Sequence, residues 1–195
     1  MQNKSNNHKY FKKRIECLFF IMLLYPLFMM SQYETQKFDI VSNFDGIEIR
    51  YYPPSMMIKY DGDVNKSSGF APLFRYISGS NDLNKKMSMT TPVHMQKTNT
   101  KSSMEFVLPS KITLKTAPNP LNSDLKLYQS IGQYYAVIKY GGYTNSEKEN
   151  KFSKELILKL NLNSIQVNGD TKILVYNSPY RFINRNNEVI VPIIY

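Results

Sequence analysis

Met57-Ile58-Lys59-Tyr60-Asp61-Gly62 and Val137-Ile138-Lys139-Tyr140-Gly141-Gly142 lie 80 positions apart, share the triplet Ile-Lys-Tyr, and each run into a glycine. The flanks repeat too. Before each copy runs an alternating stretch, Ile47-Glu48-Ile49-Arg50-Tyr51 and then Leu125-Lys126-Leu127-Tyr128. Apolar and polar residues taking turns mark a strand with one buried face. After each copy comes a polar turn and then helical spacing. In the first half Ser67 or Ser68 can cap, Phe70, Leu73, Phe74 and Ile77 follow, and Gly79 stops the helix. In the second half Ser146-Glu147-Lys148-Glu149 reads as a capping box, with Phe152, Leu156 and Leu160 along one face. Phe70 and Phe152 are offset by 82, close to the strand offset.

Each half therefore reads strand, strand, helix, then further strands. Those strands are expected near 87–97 and 103–109, and near 171–177 and 187–194. Pro109, Pro118, Asn119 and Pro120 mark the connection between halves. Two equivalent halves of this kind can merge their strands into one twisted sheet or distorted barrel with a helix against each side, an α+β fold.

The chain has 195 residues with 42% hydrophobic and 13% aromatic content, enough for one domain with its own core. Residues 1–31 stand apart. Lys9, Lys12, Lys13 and Arg14 precede Cys17–Met30, which carries no charge and is almost wholly apolar. This is the pattern of a secretory signal, removed after export, or of a retained membrane anchor through residues 15–30. Its 14 residues are short for a bilayer helix, which needs roughly 20. The expected product is exported (periplasmic or secreted) or membrane-anchored, with residues 32–195 as the working domain. Cys17 is the single cysteine, so no intrachain disulfide forms, and its loss with the leader suits an oxidising compartment.

The formal charge is +10, of which residues 1–31 hold +4 and the rest +6. Anionic ligands or surfaces suit that balance. Nucleic acid is not expected, because no dense Lys/Arg stripe follows residue 14. Catalysis is not expected either. The chain lacks a Gly-rich phosphate loop, Gly-x-Ser-x-Gly and His-Glu-x-x-His, and it has only His8 and His94.

Three stretches could form a site. Met87, Met89, Val93 and Met95 share one face of an extended segment and Ser88, Thr90 and His94 the other; the methionines are core residues or soft iron ligands, and His94 is surface-exposed, hydrogen-bonded or an axial ligand. Phe70, Phe74 and Ile77 form a helical stripe with Arg75 beside it. That stripe packs into the core or borders a groove for a flat apolar ligand with anionic tails, which a guanidinium would meet. Tyr180-Arg181-Phe182-Ile183-Asn184-Arg185-Asn186-Asn187-Glu188 turns into the last strand, with Glu188 as ion-pair partner or cleft carboxylate.

Phe74-Arg75-Tyr76-Ile77-Ser78-Gly79-Ser80-Asn81 and Lys86-Met87-Ser88-Met89-Thr90-Thr91-Pro92-Val93 together resemble the signature of the SOUL haem-binding protein family. Phe106-Val107-Leu108-Pro109-Ser110, Tyr140-Gly141-Gly142-Tyr143, Asn177-Ser178-Pro179-Tyr180 and Asn184-Arg185-Asn186-Asn187-Glu188-Val189 follow in the family's order, so the likeness spans about residues 33–195. It implies a distorted antiparallel β-barrel of two pseudo-symmetric halves, each with one helix packed outside. It implies reversible, non-catalytic binding of haem or a related tetrapyrrole; a monomer is expected. The family's haem patch, carried over, falls on Phe70, Phe74 and Arg75, and the loop before the last strand offers a second wall at Tyr180 and Arg181. This sequence departs from the pattern twice. Phenylalanines stand at 70 and 74 where the family can use methionine, and the histidine proposed as axial ligand in some members has no counterpart. Weak, tolerant binding is the expectation. The same architecture also resembles gyrase-inhibitor-like effector modules, which take amphiphilic small molecules; Glu188 or aromatics including Tyr60 and Tyr140 would then hold a cation. A protein-interaction module without a small ligand is the third reading.

Overall fold

The structure is a computed structural model that describes residues 33–63, 69–98 and 101–195; the segment 1–31 expected to be a signal or an anchor, and the capping candidates Ser67 and Ser68, lie outside the described residues. In chain order the elements are β1 (Glu34–Thr35), β2 (Asp39–Phe44), β3 (Ile47–Tyr52), β4 (Met56–Asp63), α1 (Phe70–Ile77), β5 (Thr90–Thr91) and β6 (Val93–Lys97). After them come β7 (Lys101–Val107), β8 (Leu125–Gln129), β9 (Gln133–Gly141), α2 (Ser146–Leu162), β10 (Lys172–Val175) and β11 (Asn186–Pro192). β1 and β5 form a small parallel pair, and the other nine strands form one antiparallel sheet ordered β2-β3-β9-β11-β10-β6-β7-β4-β8.

That order carries the sequence repeat. Exchanging β3 for β8, β4 for β9, β6 for β10 and β7 for β11 reads the eight strands from β3 to β8 backwards. A pseudo-two-fold axis therefore passes between β6 and β10, where His94 faces Leu174, again 80 residues apart. Ile47 opposite Ile138 and Ile58 opposite Leu127 are images of each other under the same shift. Glu105 on β7 and Glu188 on β11 are matched too, the first opposite His94 and the second opposite Leu174.

The sheet cannot lie flat. β3 and β4 are six strand spacings apart in the order, ~29 Å at about 4.8 Å per spacing. Yet only Pro53, Pro54 and Ser55 join them, and four steps of chain reach at most about 14 Å. β8 and β9 are joined as tightly, through Ser130, Ile131 and Gly132. The sheet must roll until the two connectors meet. They do so at two serines: the Ser55 amide donates to Ser130 Oγ at 2.9 Å, and the Ser130 amide donates to the Ser55 carbonyl at 2.9 Å. A Cβ on Gly132 would overlap the Tyr51 hydroxyl and sit 3.3 Å from Pro54, so this crossing favours glycine there.

Rolling separates two faces. The outer one packs against the helices. Leu156 and Leu160 of α2 bury against Ile47, Ile49, Ala136, Ile138 and Val189, while Leu73, Tyr76 and Ile77 of α1 bury against Met56, Ile58, Met104 and Phe106. The inner face carries Val137, Leu174 and Ile190 together with buried charge. Arg50, fully buried, makes two bonds to Glu188, Nη1 to Oε2 at 2.9 Å and Nη2 to Oε1 at 2.8 Å. Tyr176 donates to the same carboxylate at 2.7 Å, and Phe38 lies 4.0 Å from the guanidinium. Burial alone would lower the Arg50 pKa; the bonds and charge of Glu188, with help from Tyr52, outweigh it and raise the value. Glu105 is held by Lys172 at 3.1 Å and Tyr128 at 3.2 Å.

Local signals shift by small steps. α2 is capped by Asn145, whose side chain accepts from the Lys148 amide at 2.9 Å; Ser146 is the first helical residue, and Glu149 takes its bond from Thr144, so the expected box is displaced by one. α1 starts at Gly69 without a side-chain cap, and Gly79, at φ +112°, follows its last turn. The expected strand over 87–97 is broken: Thr90–Thr91 pairs with β1, Pro92 follows, and the regular ladder begins only at Val93. β1 and β2 had no expectation in the sequence. Glu188 as a cleft carboxylate is overturned, because Arg50 and Tyr176 consume it within the barrel.

Arg50→Met is expected to cost about 3–5 kcal/mol in urea unfolding, since it strands a buried carboxylate. Adding Glu188→Leu should recover much of that loss; a single variant with the wild-type midpoint would show that the pair does not organise the interior.

Candidate functional site

A cleft of about 550 Å³ opens on the outer face over the pseudo-two-fold axis. Its floor is Val93 and Met95 of β6, Met104 of β7 and Val175 of β10; its walls are α1 on one side and Tyr143, Asn177, Ser178, Pro179 and Arg185 on the other. The size is that of pockets for drug-sized ligands, roughly 300–1,000 Å³.

α1 places the aromatic wall. The helix turns Leu73, Tyr76 and Ile77 inward, and Tyr76 fastens it by donating to the Pro118 carbonyl at 2.8 Å. Phe70 and Phe74, one turn apart, are left 40% and 48% exposed. Their rings stack on each other, 5.7 Å between centroids and 13° between planes, and Phe70 also meets Phe106 edge-on at 5.4 Å. The stripe thus splits: half of it holds the helix down and half borders the cleft. Arg75 is exposed on the same helix but is not part of the lining.

The opposite wall is a loop built on one buried guanidinium. Arg185 donates from Nη1 to the carbonyls of Ser178 at 2.7 Å and Arg181 at 2.8 Å, and its charge lies 4.2 Å from the Tyr143 ring. Its Nε is buried without a partner, and among the described residues no carboxylate pairs with it. The tail motif contains Arg185 without marking it as a site residue, because a cation buried without an acid is visible only in three dimensions. Tyr180 and Arg181 stand further along the loop, exposed and outside the lining.

The iron-ligand candidates divide by face. Met89, Met95 and Met104 line the cleft, whereas Met87 is buried under α1. His94 points into the barrel, buried, with Nε2 2.8 Å from Gln36 Oε1. That bond occupies Nε2 on the inner side of the sheet, away from the cleft. Among the described residues no group of His, Cys, Asp and Glu could hold a metal ion. The aromatics Tyr60 and Tyr140 do not join: Tyr140 is buried, stacked on Phe152 at 4.7 Å, while Tyr60 borders a second, smaller hollow with Glu149.

The family model described as SOUL heme-binding protein matches residues 33–192, and the chain belongs to that family. Heme-binding protein 2 of Homo sapiens is similar over 160 residues at 28% identity, covering 73% of this chain and 75% of the human protein. Its Mus musculus counterpart is 26% identical over the same shares. Among solved structures, the EcmrR C-terminal domain superposes with a TM-score of 0.57 at 10% identity, covering 76% of this chain and 96% of that one. A structure described as a hydrolase from Listeria innocua superposes at 0.55 and 10% identity, covering 79% and 94%. At such identities these structures share the fold alone, the distorted α+β barrel expected from the repeat.

Burial, reinforced by the charge of Lys172, lowers the His94 pKa from 6.5 to about 3. The unfolded chain takes up a proton near 6.5 that the folded one refuses. The associated stability is complete above that pH and drains as pH falls toward 3, by up to ~1.4 kcal/mol per unit. Urea midpoints measured across this window should decline less steeply in His94→Gln than in the wild type; parallel declines would show that His94 titrates normally in the fold.

Proposed function

We propose that the chain is a non-catalytic binder of haem or a related tetrapyrrole, exported or held at a membrane through residues 15–30. The observation that carries this reading is the exposed, mutually stacked pair Phe70 and Phe74 on a cleft lined also by Arg185, a cation with which no acid pairs among the described residues. A flat ring system gains by covering aromatic and thioether surface, at roughly 25 cal/mol per Å² before the costs of association. Tetrapyrrole propionates suit Arg185 inside the cleft, with Arg75 and Arg181 outside its lining as further cations. Exposed pairs of the latter kind contribute only about 0.2–1 kcal/mol. The descriptions of the family and of both curated relatives as heme-binding support the same ligand class.

Haem, when bound, would supply an iron that accepts soft ligands, and the thioethers of Met89, Met95 and Met104 are the cleft's soft donors. The chain's own part is to present the aromatic wall, to exclude water from one ring face and to meet the carboxylates. The cation-binding alternative loses its principal residue, since Glu188 is already paired with Arg50.

A Soret titration of the full chain tests the proposal. Hemin and metal-free protoporphyrin should bind within a few-fold of each other. Phe74→Ala should weaken both by several-fold to about tenfold, a factor of ten being 1.4 kcal/mol. The porphyrin dimethyl ester should bind more weakly than the free acid. A saturable shift that ignores Phe74→Ala, or no saturable shift at all, overturns it.

A further inference from the structure

The loop between β10 and β11 carries three large apolar side chains in the open. Tyr180, Phe182 and Ile183 are 84%, 78% and 75% exposed. Arg181 stands among them, exposed too. The tip is not slack. Arg185 beneath it takes the carbonyls of Ser178 and Arg181, the Arg181 amide donates to the Ser178 carbonyl at 3.0 Å, and Arg181 Nε donates to the Ile183 carbonyl at 3.1 Å. The buried guanidinium therefore fixes a turn that presents aliphatic and aromatic groups outward. The base of the same loop, Asn177 to Pro179, is a wall of the cleft.

A second observation meets the first at that cleft. Tyr33, the first described residue, lines it and is about half exposed. Three positions upstream of Tyr33 the sequence ends a 14-residue charge-free run, Cys17–Met30, itself preceded by Lys9, Lys12, Lys13 and Arg14. The sequence upstream of the first described residue is thus apolar and basic-flanked, the composition of a membrane-seeking segment.

We propose that the Tyr180–Ile183 tip docks on an anionic lipid bilayer. The ring of Tyr180 sits at headgroup depth, Phe182 and Ile183 enter the acyl boundary, and Arg181 lies among the phosphates. Tyrosine favours that interface, buried apolar side chains and attraction to anionic lipid add to one another, and each base near such a surface strengthens the hold. A charge of +6 over residues 32–195 complements the surface. The docking does not depend on what the cleft binds, so it stands or falls separately from tetrapyrrole binding.

The chain has no tryptophan, so one introduced residue reports alone. Full-length Phe182→Trp is mixed with vesicles of phosphatidylcholine and phosphatidylglycerol at 7:3, beside a control, Leu158→Trp, whose site is exposed on α2. The expected result is a blue shift of the position-182 emission and its quenching by brominated lipid, with the control unmoved. Pure phosphatidylcholine should give a several-fold weaker response, and Ile183→Asp in the Phe182→Trp background should abolish it. No shift on vesicles that bind the chain, no binding at all, or equal shifts at both positions overturns the proposal. So does a blue shift without lipid that fades on dilution, which would mean that a second copy covers the tip.

Discussion

Two connectors of three residues each, between β3 and β4 and between β8 and β9, govern everything else in this fold. Because the strands they join lie near opposite ends of the sheet order, hydrogen bonding and chain length can both be satisfied only by a rolled sheet. Rolling creates an interior that water leaves, and polar side chains on the inner face must then find partners there. Arg50 with Glu188, and Lys172 with Glu105, are the result. The segment that follows β1 completes the enclosure: Gln36 meets His94, and Phe38 lies against both Arg50 and Tyr52.

The same symmetry explains why a cleft occurs where it does, and its breakage explains what the cleft is lined with. The two helices pack on either side of the axis, so the centre of the sheet between them is left open. α2 runs for 17 residues and turns Leu156 and Leu160 into the core. α1 has only eight residues, and its paired phenylalanines have no counterpart wall of stacked rings on α2. On the far side, the loop around Arg185 lies after β10, whereas in the first half β6 ends at Lys97 and β7 begins at Lys101, leaving a far shorter connection. The duplicated frame is structural; the unequal parts are the ones that face the cleft.

Much of the frame was legible because a repeat in sequence becomes a repeat in pairing. The offset of 80 between the Ile-Lys-Tyr copies reappears between His94 and Leu174 at the axis. Alternation located β3 and β8, and glycine at 79 marked the helix end correctly. Other features are invisible to local pattern. Arg50 and Glu188 are 138 positions apart, and neither one's neighbours reveal that they meet. The cap of α2 moved by one because Asn145 and Ser146 are both competent, and backbone geometry chose the former. At the cleft, Phe70 and Phe74 were identified as a stripe, yet periodicity alone gave no means of separating the residues that anchor the helix from those that stay open. Arg185 stood in a recognised motif without any local sign of its burial.

The exchange of strands between the halves has a consequence for their independence. β3 belongs in sequence to the first half but pairs with β9 of the second, and β8 returns the arrangement by pairing with β4. Each half has lent away its leading strand, so a half made by itself would lack one edge and bare the hydrogen-bonding groups of another. A second identical half could restore both in the manner of a swapped homodimer. The chain then holds two interlocked halves in tandem, and severing the peptide between them need not part them.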